Sequence, residues 1–348
     1  MNVGSAKKAA ADWVTNHASR TEGYRGAYFS GSTAVLPDEA ELPASSDVDV
    51  MIVTAEAAPP LKPGKFIHRD ALIEASYISW HQLASAEEVL ANYHLANGFR
   101  TNTIIADPTG HLHSLQAEVS RLFAERPWVR RRCLNVREKI ENGLRAIDTA
   151  APLHDLLTSW LFPTGVTTHL ILVAALRNPT VRLRYLAARE VLESYGQDSL
   201  YAELLELLGC AHLTPERTER HLDELTRTFD AAAAAARTPF FFSSDISPAS
   251  RPIAIDGSRE LIRRGFHREA VFWIAATFAR CHKILAADAP RELQEQLLPA
   301  FEAVIADLGI RSREDFLSRA AEGIGYLPRL WEAAESIMAN NPEIQPGD

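Results

Sequence analysis

Two aspartates stand two positions apart inside a β-forming run, Asp47 and Asp49 in SSDVDVMIV. Side chains alternate along a strand, so both carboxylates project from one face while Val48, Val50 and Ile52 turn the other way, toward a core. Cβ atoms two apart on one face are about 7 Å from each other, close enough for the carboxylates to converge on one ion. Two negative charges about 4 Å apart repel by roughly 4 kcal/mol at an effective dielectric near 20, and a divalent cation turns that repulsion into attraction. Magnesium suits such a site, because it takes carboxylate oxygens and keeps waters that phosphate groups can replace. The plain alternative is a half-exposed strand whose polar face carries two acids. Two further features weigh against it. Gly31-Ser32 ends the preceding β-forming stretch, where a missing Cβ lets the backbone approach an anion and a hydroxyl can hold a phosphate oxygen. Glu74, in ALIEASYIS, is a third acid embedded in an apolar strand, and an unpaired buried carboxylate calls for a metal, a substrate hydroxyl or a raised pKa.

The elements that must position these groups follow from periodicity. Ala6 to Arg20 has helical spacing; YRGAYFSGS reads as a strand entering a tight loop, and DVDVMIVT as a second strand. KFIHRDALIEASYIS predicts two strands folded at Arg69-Asp70, Trp80 to Arg100 returns to helical spacing, and TNTIIADPTG is a last short strand. From Leu112 onward the pattern is helical, with breaks expected at Pro127, Pro163-Thr164-Gly165, Asn178-Pro179, Gly196, Thr214-Pro215 and Thr238-Pro239. The stretch FFFSSDISPASRPIAIDGS predicts a loop between sub-bundles that reaches toward the active cleft. The fold class is therefore α+β: a mixed β-sheet domain with flanking helices over residues 1–115, then an all-α bundle over 116–348 that binds the substrate.

At 348 residues, with 47% hydrophobic and 23% charged residues, the chain is long enough for two cores and is of ordinary globular composition. Three separated cysteines offer neither a disulfide framework nor a zinc knuckle and fit a reducing, cytoplasmic setting. The polar start lacks an apolar leader, and no stretch reaches the roughly 18 uncharged apolar residues of a membrane span. A formal net charge of −9 weighs against a dedicated nucleic-acid binder and favours a cationic small molecule, although Arg130, Arg131, Arg132, Arg137 and Lys139 cluster. Phosphate-loop and dinucleotide fingerprints are both missing.

Gly-Ser closing one strand, D-x-D on the next and a third acid on a neighbour together resemble the nucleotidyltransferase superfamily that includes DNA polymerase beta and the aminoglycoside nucleotidyltransferases. The resemblance is detailed over about residues 20–80, and the helical remainder is similar in kind to the C-terminal bundle of kanamycin-type enzymes. It implies that Gly31 and Ser32, with Ser46, hold the phosphates of a nucleoside triphosphate, and that Asp47 and Asp49 bind magnesium. Glu74 then completes the acidic triad or deprotonates the acceptor. Transfer would be an in-line attack of an acceptor hydroxyl on the α-phosphate with pyrophosphate leaving, AMP from ATP being the leading donor and an antibiotic the leading acceptor. An arginine that the family often carries after Gly-Ser is replaced here by Val35-Leu36, which implies either weaker phosphate binding or another basic residue in its place. Arg137 and Lys139 are candidates to clamp pyrophosphate, against a plain surface pairing such as Arg137 with Glu141. The alternatives are transfer to RNA or protein, as in toxin-type relatives, and a nucleotide-binding regulator without turnover.

Other polar groups have simpler readings. Asp107, His111 and His113 mark a strand-ending turn and helix start rather than a metal site, and His154, Asp155, His169 and Cys281-His282 suit packing or capping better than nucleophilic catalysis.

Overall fold

The computed structural model describes residues 1–347 and divides into two compact units. One comprises Met1–Asn135 with Phe240–Asp245 and Pro342–Asp348; the other comprises Val136–Pro239 and Ile246–Asn341. The division falls at Asn135, beyond the expected boundary at 115, and the first unit recruits two later stretches of chain.

In the first unit, α1 (Val3–Asn16) is capped by Asn2, whose side chain accepts from the Ser5 N–H. It starts and stops earlier than the helix predicted over Ala6 to Arg20, with a short 3-10 turn at Ala18–Arg20. Five strands follow, β1 (Tyr24–Ser30), β2 (Val48–Thr54), β3 (Gly64–His68), β4 (Ala71–Ser79) and β5 (Ile104–Ala106), ordered β3-β4-β2-β1-β5. Only β2 and β4 run parallel; every other neighbouring pair is antiparallel. The fold at Arg69-Asp70 is as predicted, with positive φ at both residues, the backbone that a tight two-residue hairpin requires. One sheet face is apolar: Ala27, Val48, Val50, Ile52, Ile73 and Ala75 pack against Ala6, Ala9, Ala10 and Val14 of α1. Strand alternation sends Asp49 and Glu74 to the opposite face.

The stretch from Trp80 to Arg100 is not one helix. Only α2 (Ala86–Ala91) is α-helical, between 3-10 turns. The Asn92 side chain accepts from the backbone N–H groups of His94 and Leu95, a local turn that competes with helix continuation. Helix α3 (His111–Leu122) follows, and α4 (Arg126–Arg145) starts in the first unit. Asp107 caps the α3 start, accepting from the His113 backbone and ring, as the turn reading expects.

The second unit is helical: the rest of α4, then α5 (Leu153–Ala174), α6 (Arg184–Ser194), α7 (Asp198–Leu208), α8 (Pro215–Ala235), α9 (Gly257–Arg263), α10 (His267–Asp288), α11 (Arg291–Asp307) and α12 (Arg313–Asn340). Helix α10 lies at its centre, packed on α8, α5, α9 and α11. The break expected at Pro163 is absent, and α5 runs through it. An interior proline costs about 3 kcal/mol, but every residue from Thr164 to Ala174 is buried, so packing holds the helix together. The predicted loop also shortens, since Pro252–Asp256 forms a π-helical turn with Ile253, Ala254 and Ile255 buried before α9. Contrary to the sequence expectation, α5 and α10 are long and apolar enough to cross a membrane; 78% and 72% of their apolar windows lie buried, as in core helices.

Candidate functional site

Register builds the site from four strands. Ser30 pairs with Asp49 across β1 and β2, Asp49 with Glu74 across β2 and β4, and Glu74 with Lys65 across β4 and β3. Directly paired residues share a face, so one polar row crosses the sheet on the side away from α1. Asp47 stands one residue before β2 and reaches the same cluster. One carboxylate oxygen from each of Asp47, Asp49 and Glu74 lies within 4.8 Å of the others, and all three residues are half-buried. Among the described residues this is the one acidic group with metal-ligand spacing.

Gly31 closes the row. Its φ of +69° is left-handed, and a Cβ there would sit 1.8 Å from Asp49 Oδ2. The Asp49 carboxylate thus fills the space a side chain would take, which only glycine permits. Ser32 is exposed and opens a 3-10 turn over Thr33–Val35, while Ser46 is half-buried and donates its backbone N–H to the Pro43 carbonyl.

Sequence reasoning missed the cations of the site. Lys65 Nζ lies 3.1 Å from Asp47 Oδ2 and 2.9 Å from Asp245 Oδ1, and it also pairs with Glu74 Oε2. Lys62 pairs with the other Glu74 oxygen. The Lys62-Pro63-Gly64-Lys65 punctuation was legible, and parity along β3 would have placed Lys65 on the acid face. Asp245, 180 residues away in sequence, could be sensed only through the expectation that its loop reaches the cleft. Arg137 and Lys139, expected at pyrophosphate, belong to the second unit, where Arg137 lies over Trp331 and Lys139 is exposed. Glu141 is taken by Arg145, not by Arg137. Of the basic cluster, Arg130, Arg131 and Lys139 are exposed, but Arg132 is 2% exposed and donates to the carbonyls of Leu90 and Phe123.

Four carboxylates face two ammonium groups here, which leaves two formal negative charges, the charge one divalent cation supplies. Burial, followed by the charges of Asp47 and Glu74, pushes the Asp49 carboxyl well above the usual range. Burial also raises Asp47, though the Lys65 charge opposes it. For Lys65 burial works against the ammonium, but Asp245, Asp47 and Glu74 together hold it above its ordinary value. Such a cluster suits a divalent cation and, through its lysines, phosphate oxygens.

Neither a protein-family model nor a curated protein matches the chain.

Proposed function

We propose that the chain is a cytoplasmic, magnesium-dependent nucleotidyltransferase that moves a nucleoside monophosphate, AMP from ATP first among them, onto a hydroxyl of a small cationic molecule such as an aminoglycoside-like antibiotic. The observation that carries the reading is the convergence of Asp47, Asp49 and Glu74 on the face where Gly31 makes room for the Asp49 carboxylate. Asp47, Asp49 and Glu74 would hold the magnesium ion, which when bound neutralises phosphate charge and lowers the pKa of a hydroxyl.

The chain's own groups divide the remaining tasks. Lys62 and Lys65 supply the positive charge at the phosphates that Val35-Leu36 cannot. Glu74 either completes the metal set or takes the acceptor proton, and each role needs one of its two oxygens to leave the lysine that holds it. An acceptor of RNA or protein is less favoured, because the formal net charge of −9 repels a polyanion at long range.

The test is incubation with each labelled triphosphate and a panel of hydroxylated small molecules, read by mass spectrometry for an added nucleoside monophosphate. Asp47→Asn and Asp49→Asn should each abolish transfer. Both should fold, because the amide keeps the size of the carboxylate and Lys65 retains Glu74 and Asp245 as partners. Wild-type transfer by either variant would exclude the metal assignment.

A further inference from the structure

We infer that Lys65 is a built-in counter-cation of the acid cluster, and that a divalent cation loads only as Lys65 gives up Asp47 and Glu74 and stays on Asp245. This rests on the reading of Asp47, Asp49 and Glu74 as a divalent-cation site.

The side chain of Lys65 is 8% exposed, and its place in β3, in register with Glu74, fixes it on the acid face. An ammonium has three N–H donors, and Lys65 directs them at three carboxylates, those of Asp47, Glu74 and Asp245. Two of these belong to the triad. A divalent ion drawn to the triad would compete with the ammonium for the same oxygens, and like charges within a few ångströms repel.

Asp245 differs from the other two. It is absent from the group of converging acids and comes from a separate segment held in place locally. The Asp245 N–H donates to the Phe242 carbonyl and the Phe240 N–H to Ser243 Oγ. Ser244 packs on Gly64, where a Cβ would come within 2.2 Å of Ser244 Oγ. Lys65 therefore has a fixed partner outside the triad on which to remain. The move frees the Glu74 oxygen that the cation takes, while Lys62 keeps the other. Asp245 acts on the cation only through Lys65.

The experiment is a titration of the full chain with Mn2+ alone, followed by electron paramagnetic resonance, in wild type, Lys65→Met, Asp245→Asn and the double variant. Lys65→Met should bind Mn2+ at least tenfold more tightly than wild type. Asp245→Asn should weaken wild-type binding several-fold, because Lys65 then leans wholly on the triad, yet change nothing in the Lys65→Met background. Equal affinity in wild type and Lys65→Met overturns the inference while the metal site stands. So does an Asp245→Asn effect that persists without Lys65, since Asp245 would then be an ordinary nearby charge. If neither wild type nor Lys65→Met binds Mn2+, the metal reading itself fails. Lys65→Gln, which keeps a polar end, carries the same comparison should Lys65→Met not fold.

Discussion

Replacing Gly31 by alanine separates two costs that the structure allows to be counted. The first is conformational: alanine in the left-handed region costs about 1–2 kcal/mol. The second is displacement. Contacts of a real Cβ stop near 3.0 Å and this one would fall at 1.8 Å from Asp49 Oδ2, so the carboxylate must retreat by about 1.2 Å. Forcing a packed group aside costs about 1–3 kcal/mol more. Gly110→Ala is the matched control, with a φ of +76° and nothing within 4 Å of its added Cβ. The smaller entropy of the unfolded alanine chain, about 0.4–1 kcal/mol, offsets both variants alike and cancels in the comparison. Urea denaturation should place Gly31→Ala about 1–3 kcal/mol below Gly110→Ala. Magnesium-type sites tolerate little departure from oxygen distances of about 2.1 Å, so Mn2+ affinity should fall at least tenfold in Gly31→Ala and hold in Gly110→Ala. Equal stability of the two variants, or intact Mn2+ binding in Gly31→Ala, would refute the claim that this glycine seats the Asp49 carboxylate.

Two further expectations concern the cores. His282 stacks on Phe301 at a centroid distance of 4.4 Å with Phe278 beside both rings, and burial, then the charge of His154, lowers its pKa from 6.5 to about 4. The unfolded chain therefore binds the proton first: stability is full above pH 6.5 and falls as the pH drops toward 4, by about 3 kcal/mol in all. His282→Phe should flatten that acid limb in urea melts from pH 7 to 4, and an unchanged slope would show that His282 does not control it. Arg132→Met should destabilise the first unit by about 2–5 kcal/mol, because two buried carbonyls lose their donor; a change under about 0.5 kcal/mol, typical of a surface site, would contradict the role assigned to it.

The sequence by itself determined the strands and which of their faces carried the acids. Alternation in DVDVMIVT and ALIEASYIS separates the acids from Val48, Val50, Ile52 and Ile73, because strand geometry has a period of two and admits no other split. The hairpin at Arg69-Asp70 and the break at Thr214-Pro215 were legible from local turn chemistry. Tertiary structure decided what local rules cannot reach. Pro163 remains inside a helix because burial along α5 outweighs its propensity, and Arg132 looks like a surface charge until the carbonyls of Leu90 and Phe123 surround it. Above all, the meeting of Lys65 with Asp245 was hidden, since an ion pair is set by distance in space: the hairpin at Arg69-Asp70 brings Lys65 to Glu74 by local register, but Asp245 arrives from 180 residues away and leaves no periodic trace in the chain.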